Sequence, residues 1–124
     1  MDITPALSEG KLLIRSYGNG SFQINELQHV GSVLLLRNTV QPWSVMDPED
    51  LNFSSLRPIV LSSDDVDVLL IGTGEHSEKK ISVLRTRLAD KGINVDVMST
   101  GAACRTYNVL VHEDRLVAAA LIAI

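Results

Sequence analysis

The chain has very few cysteine and aromatic residues and no excess of basic charge. Cys104 is its single cysteine, which excludes an intramolecular disulfide and suits a reducing compartment. The net charge of −4 argues against nucleic-acid binding, which needs a basic surface to displace counterions from phosphates. The cysteine and the three histidines are far apart in sequence and show no metal-ligand spacing. We therefore expect neither a metal nor another cofactor.

Long hydrophobic runs are also missing. The most apolar stretch, 116–124, has nine residues and is too short to span a bilayer as a helix. The first residues are neither basic nor followed by an apolar segment, unlike a signal peptide or a mitochondrial presequence. We therefore expect a cytoplasmic protein that does not insert into a membrane.

The chain does have enough apolar sequence for one domain, since 45% of its 124 residues are hydrophobic. We expect a single domain over 1–124, with an ordered core from about residue 10. Its first part predicts an antiparallel β unit, with strands at 12–17 and 21–24 joined by a glycine-rich turn and a third strand within 29–40. A short helix over 56–60, capped by Ser54 or Ser55, should follow.

The second part predicts alternating strands and helices. Strands are expected at 66–71, 93–98 and 116–122 because these segments are short, apolar and bounded by turn residues. Helices are expected at 77–91, capped by Ser77 and ended by Gly92, and at 100–112. This order is a βαβαβ half with right-handed crossovers, which makes the chain an α/β protein.

A glycine-containing loop follows the strand at 66–71 and precedes a helix. Glycines in that position let backbone amides approach a pyrophosphate in dinucleotide-binding proteins. Here Ser77 replaces the third glycine of that motif, and Glu75 would repel a phosphate. A tight turn shaped by packing is the favoured alternative.

Cys104 lies in the first turn of the last predicted helix, next to Arg105. The helix N-terminus and Arg105 both favour a thiolate, and His76 could serve as the base of a nucleophilic cysteine. A lone cysteine between alanines is more often a small buried packing residue, and that interpretation is favoured.

Polar residues continue along the same helix. Arg105, Tyr107 and Asn108 either line a ligand pocket or hold the fold together, with Arg105 paired to a carboxylate such as Glu75. The loops at 72–77 and 99–103 both follow strands at their carboxyl ends, where open α/β sheets form a cleft. The residues expected to line this cleft are Gly72, Thr73, Gly74, Glu75, His76, Thr100, Cys104, Arg105, Tyr107 and Asn108.

Five of the eleven basic residues fall in the predicted helix at 77–91, namely Lys79, Lys80, Arg85, Arg87 and Lys91. They form either a solvated face or a docking surface for an acidic protein partner. Trp43, in a loop next to Pro42, is either an interface anchor or the lid of a small core.

From Gly92 to Leu110 and again from Val117 to Ile122, the sequence resembles the uncharacterised domain shared by mitochondrial complex I assembly factor three and the adipogenesis-associated protein. The turn at 17–22 and Trp43 are also similar, so the likeness covers most of the chain. Asp114 stands where that family more often has glycine, so the turn there is expected to differ.

The resemblance implies a three-layer α/β fold around a central mixed sheet, with the N-terminal β unit added. It also implies a non-catalytic assembly helper that binds a protein partner and contributes to membrane or respiratory complex biogenesis. The alternative is a small-molecule-binding domain or an enzyme that uses the predicted cleft. The sequence gives no oligomeric state.

Overall fold

A computed structural model describes residues 11–75 and 81–124 of the chain. The N-terminal unit is a three-stranded antiparallel sheet of β1 (Ile14–Gly18), β2 (Ser21–Ile24) and β3 (Leu27–Val30). Asn19 and Asn25 make the two connecting turns, with φ of 54° and 49°, a conformation that asparagine accepts at low cost. The predicted hairpin is confirmed, and Tyr17 pairs with Phe22 across it.

The single strand predicted within 29–40 is wrong. That segment contains the end of β3, then β4 (Val33–Leu35), and finally the start of β5 (Val40–Pro42). Gly31, with φ of 88°, breaks the first run, and a turn closed by the bond from the Leu36 amide to the Thr39 carbonyl (2.9 Å) breaks the second. These turns carry the chain out of the small sheet and into the main one.

The main sheet has five strands in the order β5-β4-β8-β6-β7. Its parallel part consists of β6 (Val68–Gly72), the edge strand β7 (Asn94–Met98) and the middle strand β8 (Val117–Leu121), and β6 is parallel to both of its neighbours. Because β4 runs antiparallel to β8 and to β5, the sheet is mixed, as expected. The predicted strand bounds differ from the observed ones by one or two residues.

Alternating side chains of the central strands divide the interior into two cores. Leu69 and Ala120 face one core, together with α1 (Arg57–Leu61) and α2 (Ser82–Ala89). Leu70 and Ala119 face the other core, together with α3 (Thr100–His112) and the inner face of the small sheet. The result is the expected three-layer α/β domain, with both faces of the main sheet covered.

The helices agree with the sequence to different degrees. The predicted helix at 100–112 is confirmed at both ends. The helix expected at 77–91 is described over Ser82–Ala89, and its predicted cap Ser77 lies outside the described residues. Neither Ser54 nor Ser55 caps α1, because both belong to a 3-10 turn that precedes it. None of the helices among residues 11–75 and 81–124 is long and apolar enough to cross a bilayer.

Two turn residues after helices take positive φ. Gly92 ends the α2 region with φ of 80°, as its glycine predicts. Asp114, after α3, has φ of 59°, so the aspartate adopts the left-handed conformation that a glycine would favour there.

Candidate functional site

The loops that were expected to form a cleft are held against each other by Thr100, whose side chain is fully buried. Its hydroxyl accepts a hydrogen bond from the Gly74 amide (2.9 Å) and donates one to the Ile122 carbonyl (2.7 Å). The Thr100 amide in turn donates to the Gly74 carbonyl (2.7 Å). Thr100 therefore joins the start of α3 to the loop after β6 and to the residue after β8.

Gly72 and Thr73 are also used by the fold. A Cβ on Gly72 would lie 2.8 Å from the Thr100 Cα, so this glycine is required by the close approach of α3 to β6. Thr73 is buried, and its amide donates to the Met98 carbonyl (3.0 Å). These contacts favour the packing explanation of the glycine loop over phosphate binding.

Cys104 is fully buried on the inner face of α3. Burial raises the pKa of its thiol to about 12, and Arg105 only partly offsets that effect. A thiol with this pKa stays protonated at neutral pH and is a poor nucleophile. The packing interpretation is therefore favoured; His76, the base proposed for a reactive cysteine, lies outside the described residues.

Arg105 bonds a phenol, although a carboxylate was expected. Its guanidinium Nη1 donates to the Tyr17 hydroxyl (2.7 Å), while Glu75 is exposed and makes no ion pair with it, so the predicted pairing is wrong. Arg105 bonds Tyr17 because the small N-terminal sheet packs on α3 and its strand β1 brings Tyr17 next to Arg105. The same approach places Tyr17 Oη 2.7 Å from where a Cβ on Gly101 would lie.

The side-chain amide of Asn108 pairs with the backbone of β1, as a neighbouring strand would. Its Oδ1 accepts from the Ile14 amide (3.0 Å), and its Nδ2 donates to the Ile14 carbonyl (2.8 Å). Asn108 is 5% exposed, so these bonds satisfy buried polar groups and fix β1 on α3. This is the structural role that the sequence suggested as one of two alternatives.

The structure thus brings Gly74 and Thr100 together but assigns the described polar residues of the predicted cleft mainly to holding the fold. The open cleft stays a prediction. Tyr107 departs from the group, because it lies further along α3 and faces a groove at the opposite end of the sheet.

That groove, here called the basal groove, has a volume of about 510 Å³ and lies where β6 and β8 begin. Its charged and amide side chains come from segments that are distant in sequence: Lys11, Arg37, Asn38, Asp65, Asp114 and Arg115. Sequence reasoning missed all six, because short-range patterns do not show that these loops meet.

Lys11 and Asp114 form an ion pair at the rim of the basal groove, with 2.5 Å between Nζ and Oδ1. Lys11 also donates to the Val111 carbonyl in the last turn of α3 (3.1 Å). The hydrogen bond and charge of Lys11 lower the pKa of the Asp114 carboxyl below its usual value. These contacts link Lys11 to the end of α3.

A second, more apolar groove of about 340 Å³ lies beside α2. We call it the α2 surface and define it by Phe53, Val83 and Arg87. The Arg87 guanidinium stacks 3.8 Å from the centroid of the Phe53 ring, and Val83 is 74% exposed. An arginine stacked on an aromatic ring beside an exposed valine is a composition typical of protein interfaces. Lys79 and Lys80, expected in the same region, lie outside the described residues.

Trp43 is buried, and its indole Nε1 donates to the Ser55 carbonyl (2.8 Å). It therefore covers the core that contains α1, which agrees with the lid interpretation. Within the described parts of the chain, no group of three or more histidine, cysteine, aspartate or glutamate side chains is placed to hold a metal ion.

Comparisons with known proteins give the chain its relatives. Residues 14–122 match a family model described as "Protein of unknown function (DUF498/DUF598)". The chain is also similar to the Xenopus tropicalis and human proteins named NADH dehydrogenase [ubiquinone] 1 alpha subcomplex assembly factor 3. The Xenopus tropicalis protein is 33% identical over 90% of this chain and 61% of its own length, and the human protein is 33% identical over 90% and 60%.

The chain therefore spans about three-fifths of the length of these relatives. Among solved structures, the crystal structure of an outer membrane protein from Bartonella henselae is similar, with 39% identity and a TM-score of 0.85. That match covers 92% of this chain and 96% of the other.

Proposed function

The chain belongs to the DUF498/DUF598 family, and from that premise we propose that it is a non-catalytic protein-interaction domain that helps a larger complex to assemble. The observation that carries the proposal is its 33% identity, over nine-tenths of its length, to proteins named as assembly factors of NADH dehydrogenase. The complex that it would serve is accordingly a membrane or respiratory one, and the domain would act from the cytoplasm.

The contacts at the predicted cleft support a domain without catalysis. The polar side-chain atoms of Thr100 and Asn108 form hydrogen bonds with backbone groups of neighbouring strands and loops. Cys104 is buried and its thiol is protonated at neutral pH. Thr100 and Asn108 are thus engaged in holding α3 in place, and Cys104 is packed inside the core.

We propose that the α2 surface binds the partner. Val83 offers an exposed apolar contact, and Arg87 lies one helical turn further along the same face. Arg87 gives this surface a positive charge in a chain whose net charge is −4. An acidic segment with an apolar side chain would fit this surface, because a carboxylate meets Arg87 while the apolar group covers Val83.

Deleting the gene in the native host tests the function. We expect the amount of assembled NADH dehydrogenase, measured on native gels of solubilised membranes, to fall and to recover when the wild-type gene is returned. Unchanged assembly in the deletion strain would refute a role in this complex. Total subunit levels in the same extracts control for reduced synthesis.

A further inference from the structure

The basal groove has the size and lining of a small-molecule site. Its volume of about 510 Å³ lies within the roughly 300–1,000 Å³ that is usual for ligand pockets. Leu12, Val111 and Val117 give it apolar walls, and charged side chains stand around them. A ligand with an apolar body and a polar end would match this arrangement.

Tyr107 provides a polar group in this groove that the fold does not use. The residue is 2% exposed and lines the groove, and its phenol makes no hydrogen bond with any described residue. Among the described residues, Arg15 Nε is the only buried side-chain polar atom without a hydrogen-bond partner, so the Tyr107 hydroxyl is not enclosed and borders the groove. Burial raises the pKa of the Tyr107 phenol, so it remains protonated and is available as a donor.

The charges around the groove leave a positive surplus. Three basic residues and two acidic ones line it, which gives 3 − 2 = +1. Lys11 and Asp114 neutralise each other through their ion pair. Arg37 and Arg115 form no ion pair with a described residue, and Asp65 offsets only one of them.

We propose that the basal groove binds a small molecule with one carboxylate and a short apolar body. The carboxylate accepts a hydrogen bond from the Tyr107 hydroxyl and is held by Arg37 and Arg115. A single negative charge matches the surplus of one positive charge better than a doubly charged phosphate does. The apolar body lies against Val111 and Val117.

The test is a titration of the isotope-labelled protein with sodium octanoate, followed by amide chemical shifts. We expect saturable shifts at Asn38, Val111 and Arg115. Octanamide, which has the same tail without the charge, should bind at least about tenfold more weakly. Absence of saturable shifts, or equal binding of the two compounds, would overturn the proposal.

Substitutions locate the site. Tyr107→Phe and, separately, Arg115→Gln should each weaken octanoate binding by about five- to tenfold. Tyr17→Phe removes the hydroxyl of the other tyrosine, which lies outside the groove, and should leave binding unchanged. Because the Tyr107 phenol has no described partner, Tyr107→Phe should also unfold at the wild-type urea concentration. Wild-type binding by Tyr107→Phe would show that the groove does not use this group.

Discussion

Replacing Thr100 by valine tests the contact that joins the two loops. Valine has nearly the shape of threonine, so the change removes the hydroxyl and little else. The Gly74 amide and the Ile122 carbonyl would then be buried without partners. Each unsatisfied group costs about 1–3 kcal/mol, and the added apolar burial returns about 1 kcal/mol. We expect the free energy of unfolding to fall by about 1–5 kcal/mol, with about 3 kcal/mol as the central value.

Thr100→Ser is the matched control, because it keeps the hydroxyl and loses a methyl group worth about 1 kcal/mol. Urea denaturation followed by circular dichroism should therefore rank wild type above serine and serine above valine. In thermal melts the valine variant should lose roughly 10 °C, at about 3–6 °C per kcal/mol for a domain of this size. If valine is as stable as wild type, or more stable than serine, the hydroxyl does not hold the loops and the reasoning is refuted.

Two further predictions concern α3. Burial raises the pKa of the Cys104 thiol from its ordinary value of 9.0 to about 12. Between these two pH values the thiol therefore stays protonated in the folded chain and ionises in the unfolded one. Stability should therefore fall as pH rises, by up to about 1.4 kcal/mol per pH unit, and Cys104→Ala should show a smaller slope in urea titrations; equal slopes would contradict this. Gly101→Ala should cost about 1–3 kcal/mol because its Cβ would meet Tyr17 Oη, and less in a Tyr17→Phe background; additive costs in a double-mutant cycle would count against that clash.

The parts of the fold that could be predicted are those with a strong local pattern. The bounds of α3 follow from its helical sequence between a serine and a turn, and β7 follows from a short apolar run after Gly92. The strands β3, β4 and β5 could not be separated, because the apolar run at 33–36 hides the turn that ends at Thr39. There, the pairing of β4 with the distant β8 helps to decide where the strand lies.

The site was harder to predict than the fold for the same reason. The sequence placed Thr100, Cys104 and Asn108 on one helix, but it could not show that Ile14 and Ile122 would occupy the polar atoms of Asn108 and Thr100. The basal groove joins residues about 100 positions apart, as the Lys11–Asp114 pair illustrates. The rule that clefts form at the carboxyl ends of strands directed attention to the other end of the sheet.

The most direct test of the proposed interaction is affinity purification of the tagged protein from its native host in three forms. Val83→Glu changes the α2 surface, and Val109→Glu places the same charge on an exposed position of α3, on the other side of the main sheet. We expect wild type and Val109→Glu to recover the same subunit or assembly protein of NADH dehydrogenase, and Val83→Glu to recover at least about tenfold less. Recovery of the bare domain in all three forms, or full recovery with Val83→Glu, would contradict the account.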